Sequence, residues 1–215
     1  MTGRVTVGNG NGQLETNGDG TLDDGSAVQA ATLTIEAGVE VFGETGTFAN
    51  LLITRGSKIM AMGTADAPIV FSSDDAGYDG SGEWGGLIIH GYAPHNECAV
   101  GGSYCDIDSE GESGFAGGYD EDDSSGVLRY VVVAEGGYEF STATRLTVSL
   151  GGRRSRHEMD YIQVHGNSDD GIEFYGGTVN LKHGVFTNNN DDSVDWDEGY
   201  QGNLSTSSSS RVLER

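Results

Sequence analysis

The chain of 215 residues is poor in proline, with two, and poor in basic side chains: 11 Lys and Arg stand against 34 Asp and Glu, a formal net charge of −23. A field of that sign repels phosphates and anionic headgroups, which excludes nucleic acid and anionic membrane surfaces as default partners. No run approaches 18 consecutive apolar residues, so no membrane span is expected. Met1 is not followed by a basic and then an apolar segment, so no signal peptide is read and any export signal is expected to have been removed. Cysteine is as scarce as proline: Cys98 and Cys105 lie seven apart in a stretch dense in Gly, Ser and Asn. A disulfide is expected there, worth roughly 2–3 kcal/mol of unfolded-state entropy, and it implies an oxidising compartment. Structural zinc needs four ligands, and His95 is the one other good candidate nearby, so metal binding by this pair is not expected. With 36 glycines and 35% hydrophobic residues the chain is too glycine-rich for a helical bundle.

What the chain does have is a period. Leu33, Leu51, Ile69 and Leu87 are 18 apart, as are Ile35, Ile53, Phe71 and Ile89, and Gly38 with Gly56 and Val41 with Ile59 keep the same spacing. From about Asp160 the period lengthens to 22, so that Val164 to Phe174 lies over Phe186 to Trp196. Val131 and Val133 follow Leu87 and Ile89 by 44 and precede Ile162 and Val164 by 31. Extra residues therefore enter as loops at about 91–126 and 136–156. Short strands with Gly and Asn at corners predict an all-β chain, a parallel β-helix with coils of about 18–22 residues, each burying its inward side chains only against its neighbours. The right-handed form is expected because the regular hexapeptides of the left-handed form are missing. Residues 1–30 are expected to form an N-terminal coil or cap, 31–203 the β-helix, and 204–215 a low-complexity tail. No good C-terminal cap is visible, so Val194 and Trp196 are expected to be partly uncovered, with the tail or a second copy closing that end. End-to-end self-association through the C-terminal coil follows as the expected assembly.

The segments Leu33 to Val39, Arg55 to Gly63, Ala67 to Ser73, Gly82 to Gly86 and Asp169 to Asn180 together resemble the β-helical domains of large secreted or cell-surface proteins of Gram-negative bacteria. The resemblance covers about Gly3 to Asn203 and implies the fold and a secreted, periplasmic or cell-surface location; it brings no catalytic residue with it. Two departures stand out: the Arg153-Arg154-Ser155-Arg156 cluster where a Gly-rich turn is usual, and the tail in place of a further coil, as in a fragment of a longer protein.

With Ile172 and Phe174 inward, alternation turns Glu173 and Tyr175 outward, and one coil on it turns Asp195 and Asp197 outward around an inward Trp196. Asp169 over Asp191 and Asp170 over Asp192 form a second set at the preceding turn. Carboxylates registered ~4.8 Å apart share a proton or bind a cation. Glu173, Asp195, Asp197, Asp170 and Asp192 are the candidate catalytic residues of a carbohydrate or ester hydrolase, and Asp169 and Asp191 candidate Ca²⁺ ligands, against the plainer reading of a solvated Asn/Asp ladder shaping the corner. Asn167 to Ile172 is loosely similar to a polygalacturonase motif, whereas the Gly-His-Gly and Arg-Ile-Lys triplets of that family are absent. Asn17, Asp19 and Asp23 follow the alternating-oxygen pattern of a Ca²⁺ loop without its terminal bidentate Glu. Tyr175, Tyr161, His183 and His165 are candidate ligand-binding side chains; His183 lies over Tyr161, and His90 shares a column with His165 across Ala134. His157 stands beside the arginine cluster. The preferred expectation is a surface solenoid that binds glycans or partner proteins through its long loops and an acidic outer face, with Ca²⁺ the one cofactor in view.

Overall fold

The computed structural model describes residues 1–109, 111–138, 146–148 and 158–211, which form strands and turns without a helix; none is therefore long and apolar enough to cross a membrane. Strand β1 (Val5–Val7) opens the first turn and is followed by β2 (Thr32–Ile35) and β3 (Glu40–Gly43). The second turn holds β4 (Asn50–Ile53), β5 (Lys58–Met62) and β6 (Ile69–Ser73). The third begins with β7 (Gly86–Ile89), carries a hairpin of β8 (Ile107–Ser109) and β9 (Gly114–Ala116), and continues into β10 (Gly126–Ala134). Later turns alternate β11 (Leu146–Val148), β12 (Glu158–His165), β13 (Ile172–Tyr175), β14 (Asn180–Asn189), β15 (Val194–Asp197) and β16 (Leu204–Arg211). One sheet runs β1-β4-β7-β11-β13-β15, the other β16-β14-β12-β10-β5-β2 with β3 and β6 beside it. The described ladders of both sheets are parallel; the β8–β9 hairpin is antiparallel.

The two sheets close on one apolar core. Leu51, Ile53, Leu87, Ile89, Ile172 and Phe174 point in from the first, and Ile59, Ile69, Phe71, Val131, Ile162, Val164 and Phe186 from the second. The 22-residue register appears as expected: Val164 pairs with Phe186, Ile172 with Val194 and Phe174 with Trp196. So does the 31-residue step from Val131 to Ile162.

The 18-residue coil is corrected. Leu33 and Ile69 belong to the second sheet and Leu51 and Leu87 to the first. Leu33 lies beside Ile59, Ile69 beside Val131, and Leu51 beside Leu87, 36 positions away. Val131 and Val133 likewise lie over Ile69 and Phe71, not over Leu87 and Ile89. The early turns are thus unequal and longer than 18 residues, and the short repeat reuses one strand–turn–strand sentence at two different corners. Gly38 and Gly56 turn those corners with the same φ of +78°, a backbone state that a Cβ would strain.

At β4 and β7 the outer face of the first sheet is not solvated. Leu52 and Ile88, outward by alternation, are 0% and 1% exposed. Over this sheet lie the N-terminal segment and the third-turn insertion: Arg4 donates to Asn50 Oδ1 (2.9 Å) and to the carbonyls of Gly111 and Glu112 (2.7 and 2.6 Å), and the Phe115 amide donates to the Asn11 carbonyl. The buried Arg55 ties the same pieces together, donating to the carbonyls of Gly10, Gly12 and Cys105 and pairing with Asp106 at 2.9 Å. The expected Cys98–Cys105 disulfide is formed within this insertion.

At the far end the serine-rich segment continues the second sheet as β16, in parallel ladder with β14. Ladder bonds use the backbone, which is why a segment with few apolar side chains still serves as a strand. It does not reach the first sheet, where Trp196, in register with inward Phe174, remains 57% exposed.

Candidate functional site

Two neighbourhoods gather most of the side chains singled out from sequence. The first is a carboxylate knot at the corner before β13 and β15. Asn167, 1% exposed, donates to the carbonyls of Asp170 and Gly171 (2.9 and 3.3 Å) and accepts from the Gly136 amide, and its own amide donates to Asn189 one turn on. Gly171 has no room for a side chain: a Cβ would meet Asn189 Nδ2 at 2.5 Å and the Ser193 carbonyl at 2.6 Å. This packed corner sets Asp170 against the next turn, where its carboxylate accepts the Asp192 amide at 2.7 Å.

Around it, Asp169, Asp170 and Asp191 offer ligand oxygens within 4.8 Å of one another, and so do Asp170, Glu173 and Asp195. Asp170 belongs to both trios. The stacking of Asp169 with Asp191 and Asp170 with Asp192 is as the 22-residue period requires. Exposure is not as expected: Glu173 is 2% and Asp170 3% exposed. Asp197 pairs in register with Tyr175 and stands outside both trios, as does Asp192. The arrangement gathers Asp169, Asp170, Glu173, Asp191 and Asp195, of which Asp170 and Glu173 are buried.

The second neighbourhood is a ring ladder on the second sheet. Tyr130, Tyr161 and His183 each adopt a left-handed backbone (φ 49°, 56° and 51°) where their long strands bend around a corner. Their rings stack, Tyr130 on Tyr161 at 4.4 Å and Tyr161 on His183 at 4.3 Å. Asp160 Oδ1 lies 2.7 Å from His183 Nδ1, holding the proton on that nitrogen and turning Nε2 away. The neighbouring Tyr130 holds the Tyr161 phenol above its ordinary value, so it stays a neutral donor. Tyr161 is 38% exposed and the His183 side chain 50%. The ladder lines a shallow groove of about 240 Å³ with Thr64, Pro68 and Gln163.

His165, at the end of β12, has Thr187 Oγ1 2.6 Å from Nδ1 and the Tyr78 carbonyl 3.1 Å from Nε2, so both ring nitrogens are engaged. His90 does not share its column. It directly follows β7 on the other sheet, fully buried, with Nε2 at 3.0 and 3.2 Å from the hydroxyls of Ser109 and Ser113. Burial, assisted by Arg55 and Arg4, pushes it down to about 3. His157 and the arginine cluster fall outside the described residues. In the Asn17–Asp19–Asp23 loop, Asp19 accepts from the Thr21 amide and hydroxyl and from Asn17 Nδ2, which closes a turn. Asp19 and Asp23 join none of the ligand trios found among the described residues.

Sequence reasoning missed Tyr130, although the 31-residue step that places Val131 over Ile162 also places Tyr130 over Tyr161. It missed His95, Glu97 and Glu198 as a group for a better reason, because no period relates a loop to the last turn.

The parallel ladders, the single enclosed core and the stacked corner side chains define a parallel β-helix. The model of the pectate-lyase-like β-helix domain matches residues 12–213, and the chain belongs to that family. Its coarse functional assignment is accordingly a carbohydrate-related one. Neither the curated proteins nor the solved structures returned a match.

Proposed function

We propose that this protein is a glycan-binding β-helix that holds neutral sugars in the groove along Tyr130, Tyr161 and His183. The observation that carries the reading is the exposed ring ladder itself. Left-handed bulky residues cost of order 1–3 kcal/mol each, and glycine would occupy these corners without strain. Stacking returns roughly 0.5–1.5 kcal/mol per pair, so aromatic residues at these corners are poor choices for stability alone. Apolar ring edges flanked by phenol, amide and imidazole groups supply the mix of contact area and directed polar groups that ligand grooves use. The charge of −23 favours neutral over uronate glycans.

Affinity electrophoresis in gels containing neutral polysaccharides tests the reading. Wild type should be retarded in at least one, and Tyr161→Ala should bind at least tenfold more weakly with little change in melting temperature. A wild-type chain that runs unretarded across neutral and uronate polymers ends the proposal.

The carboxylate knot carries a second reading, Ca²⁺ binding, because the two trios share Asp170 and bury it with Glu173. Like charges so close favour an all-oxygen cation site. Ca²⁺ should raise the melting temperature of chelator-treated protein, and Asp170→Asn should abolish the rise; equal shifts in both would remove the assignment. The rival hydrolase reading loses ground from the same burial, and Asp195→Asn provides its check on any turnover detected. Head-to-tail self-association and an extracytoplasmic location complete the proposal, the latter supported by the disulfide and by the family.

A further inference from the structure

We propose that His95, Glu97 and Glu198 form a zinc site that clamps the third-turn insertion onto the last turn of the solenoid. It is independent of the glycan groove and of the carboxylate knot. The three side chains offer ligand atoms within 4.8 Å of one another. His95 is the decisive member: its side chain is 2% exposed, and Nε2 is buried without a hydrogen-bond partner, facing Glu198 Oε2 at 3.9 Å. A buried ring nitrogen left without a partner is a desolvation cost that a ligand would remove.

The distance fits a bridging ion. Zinc sits about 2.0–2.1 Å from an imidazole nitrogen and about 2.0–2.2 Å from a carboxylate oxygen, so 3.9 Å lies within the span of two bonds and a small closure brings the pair to tetrahedral geometry. One imidazole with two carboxylates selects zinc over Ca²⁺, which takes oxygen ligands. Two glutamates also balance the charge of the ion. In the metal-free form the Glu97 amide donates to His95 Nδ1 at 3.3 Å, a long bond; binding at Nε2 moves the ring proton to Nδ1 and gives up only that contact.

The backbone already holds the parts in place. The Asn96 amide donates to the Glu198 carbonyl at 3.1 Å, and the Gly177 amide to the Pro94 carbonyl at 3.0 Å. A groove of about 230 Å³ lined by Asn96, Thr178 and Gln201 gives the ion a way in and space for water as its fourth ligand. The clamp would join a loop leaving β7 to the turn after β15, two pieces of chain a hundred positions apart.

Chelator-treated, disulfide-intact protein is titrated with ZnCl2 by calorimetry, with excess CaCl2 present to fill oxygen-only sites. One equivalent of zinc should bind and raise the melting temperature, and His95→Gln and Glu198→Gln should each weaken binding at least tenfold. Asp170→Asn should leave the isotherm unchanged, separating this site from the carboxylate knot. Co²⁺ in place of zinc should give the visible absorption of a four-coordinate site in wild type and not in either variant. Absence of zinc binding, or equal binding in wild type and both variants, overturns the proposal. Should His95→Gln lack a cooperative melt, Glu198→Gln, on a side chain that is part exposed, decides the matter.

Discussion

Individual residues in this molecule act chiefly through where the fold places them relative to water. His90 has the ordinary hydrogen-bonding capacity of a histidine, yet full burial beside Arg55 and Arg4 lowers it from 6.5 to about 3. The unfolded chain takes up that proton below about pH 6.5 whereas the folded chain resists it down to about 3, so stability is lost as pH falls through this window. The contribution of this group is up to about 1.4 kcal/mol per pH unit. Urea unfolding between about pH 4 and 6.5 should show that slope, and His90→Gln, which keeps a hydrogen-bonding group, should flatten it; an unchanged slope would assign the pH dependence elsewhere. Glu173 illustrates the same point from the opposite sign of charge. Alternation along its strand turns it outward, yet it is buried in the folded chain.

At the scale of elements, the strands follow directly from sequence and the insertion does not. A strand needs only alternating apolar residues and a corner, and both are present in the 22-residue repeat from Val164 to Trp196. The third-turn insertion has no such pattern and is organised by Arg55, whose guanidinium collects carbonyls from Gly10, Gly12 and Cys105 and the carboxylate of Asp106. Arg55→Met should destabilise the protein by about 3–5 kcal/mol, because it leaves Asp106 buried without its counter-charge. Asp106→Asn in that background should recover part of the loss. Chemical denaturation of the single and double variants measures both, and a single variant within about 1 kcal/mol of wild type would mean that the insertion is held by other contacts.

On the scale of the whole molecule, a solenoid has two ends, and both are apolar here. Val5, Leu33, Val39 and Val41 border a recess at the N-terminal end, and Trp196 stands exposed at the other. β1 and β15 are the two edges of one parallel sheet, so the edge of one copy is complementary to the opposite edge of the next, a heterologous contact of the kind that builds filaments. The charge of −23 per copy opposes it. Association should therefore strengthen with salt as the Debye length falls from about 30 Å at 0.01 M to about 8 Å at 0.15 M. Sedimentation velocity across that range should show larger species at high salt, and Trp196→Glu should return the monomer; a sedimentation coefficient indifferent to both would leave the ends without this partner.

Sequence alone determined the parallel solenoid, the disulfide and the pairing of the last turns, because hydrophobic alternation, corner residues and a fixed repeat are local properties of a chain that stacks on itself. Tertiary structure decided which 18-residue units share a wall, which carboxylates are buried, and that His95 meets Glu198. Those outcomes depend on how an aperiodic insertion lies across the coils, and contacts between a loop and a distant turn leave no period in the sequence to read.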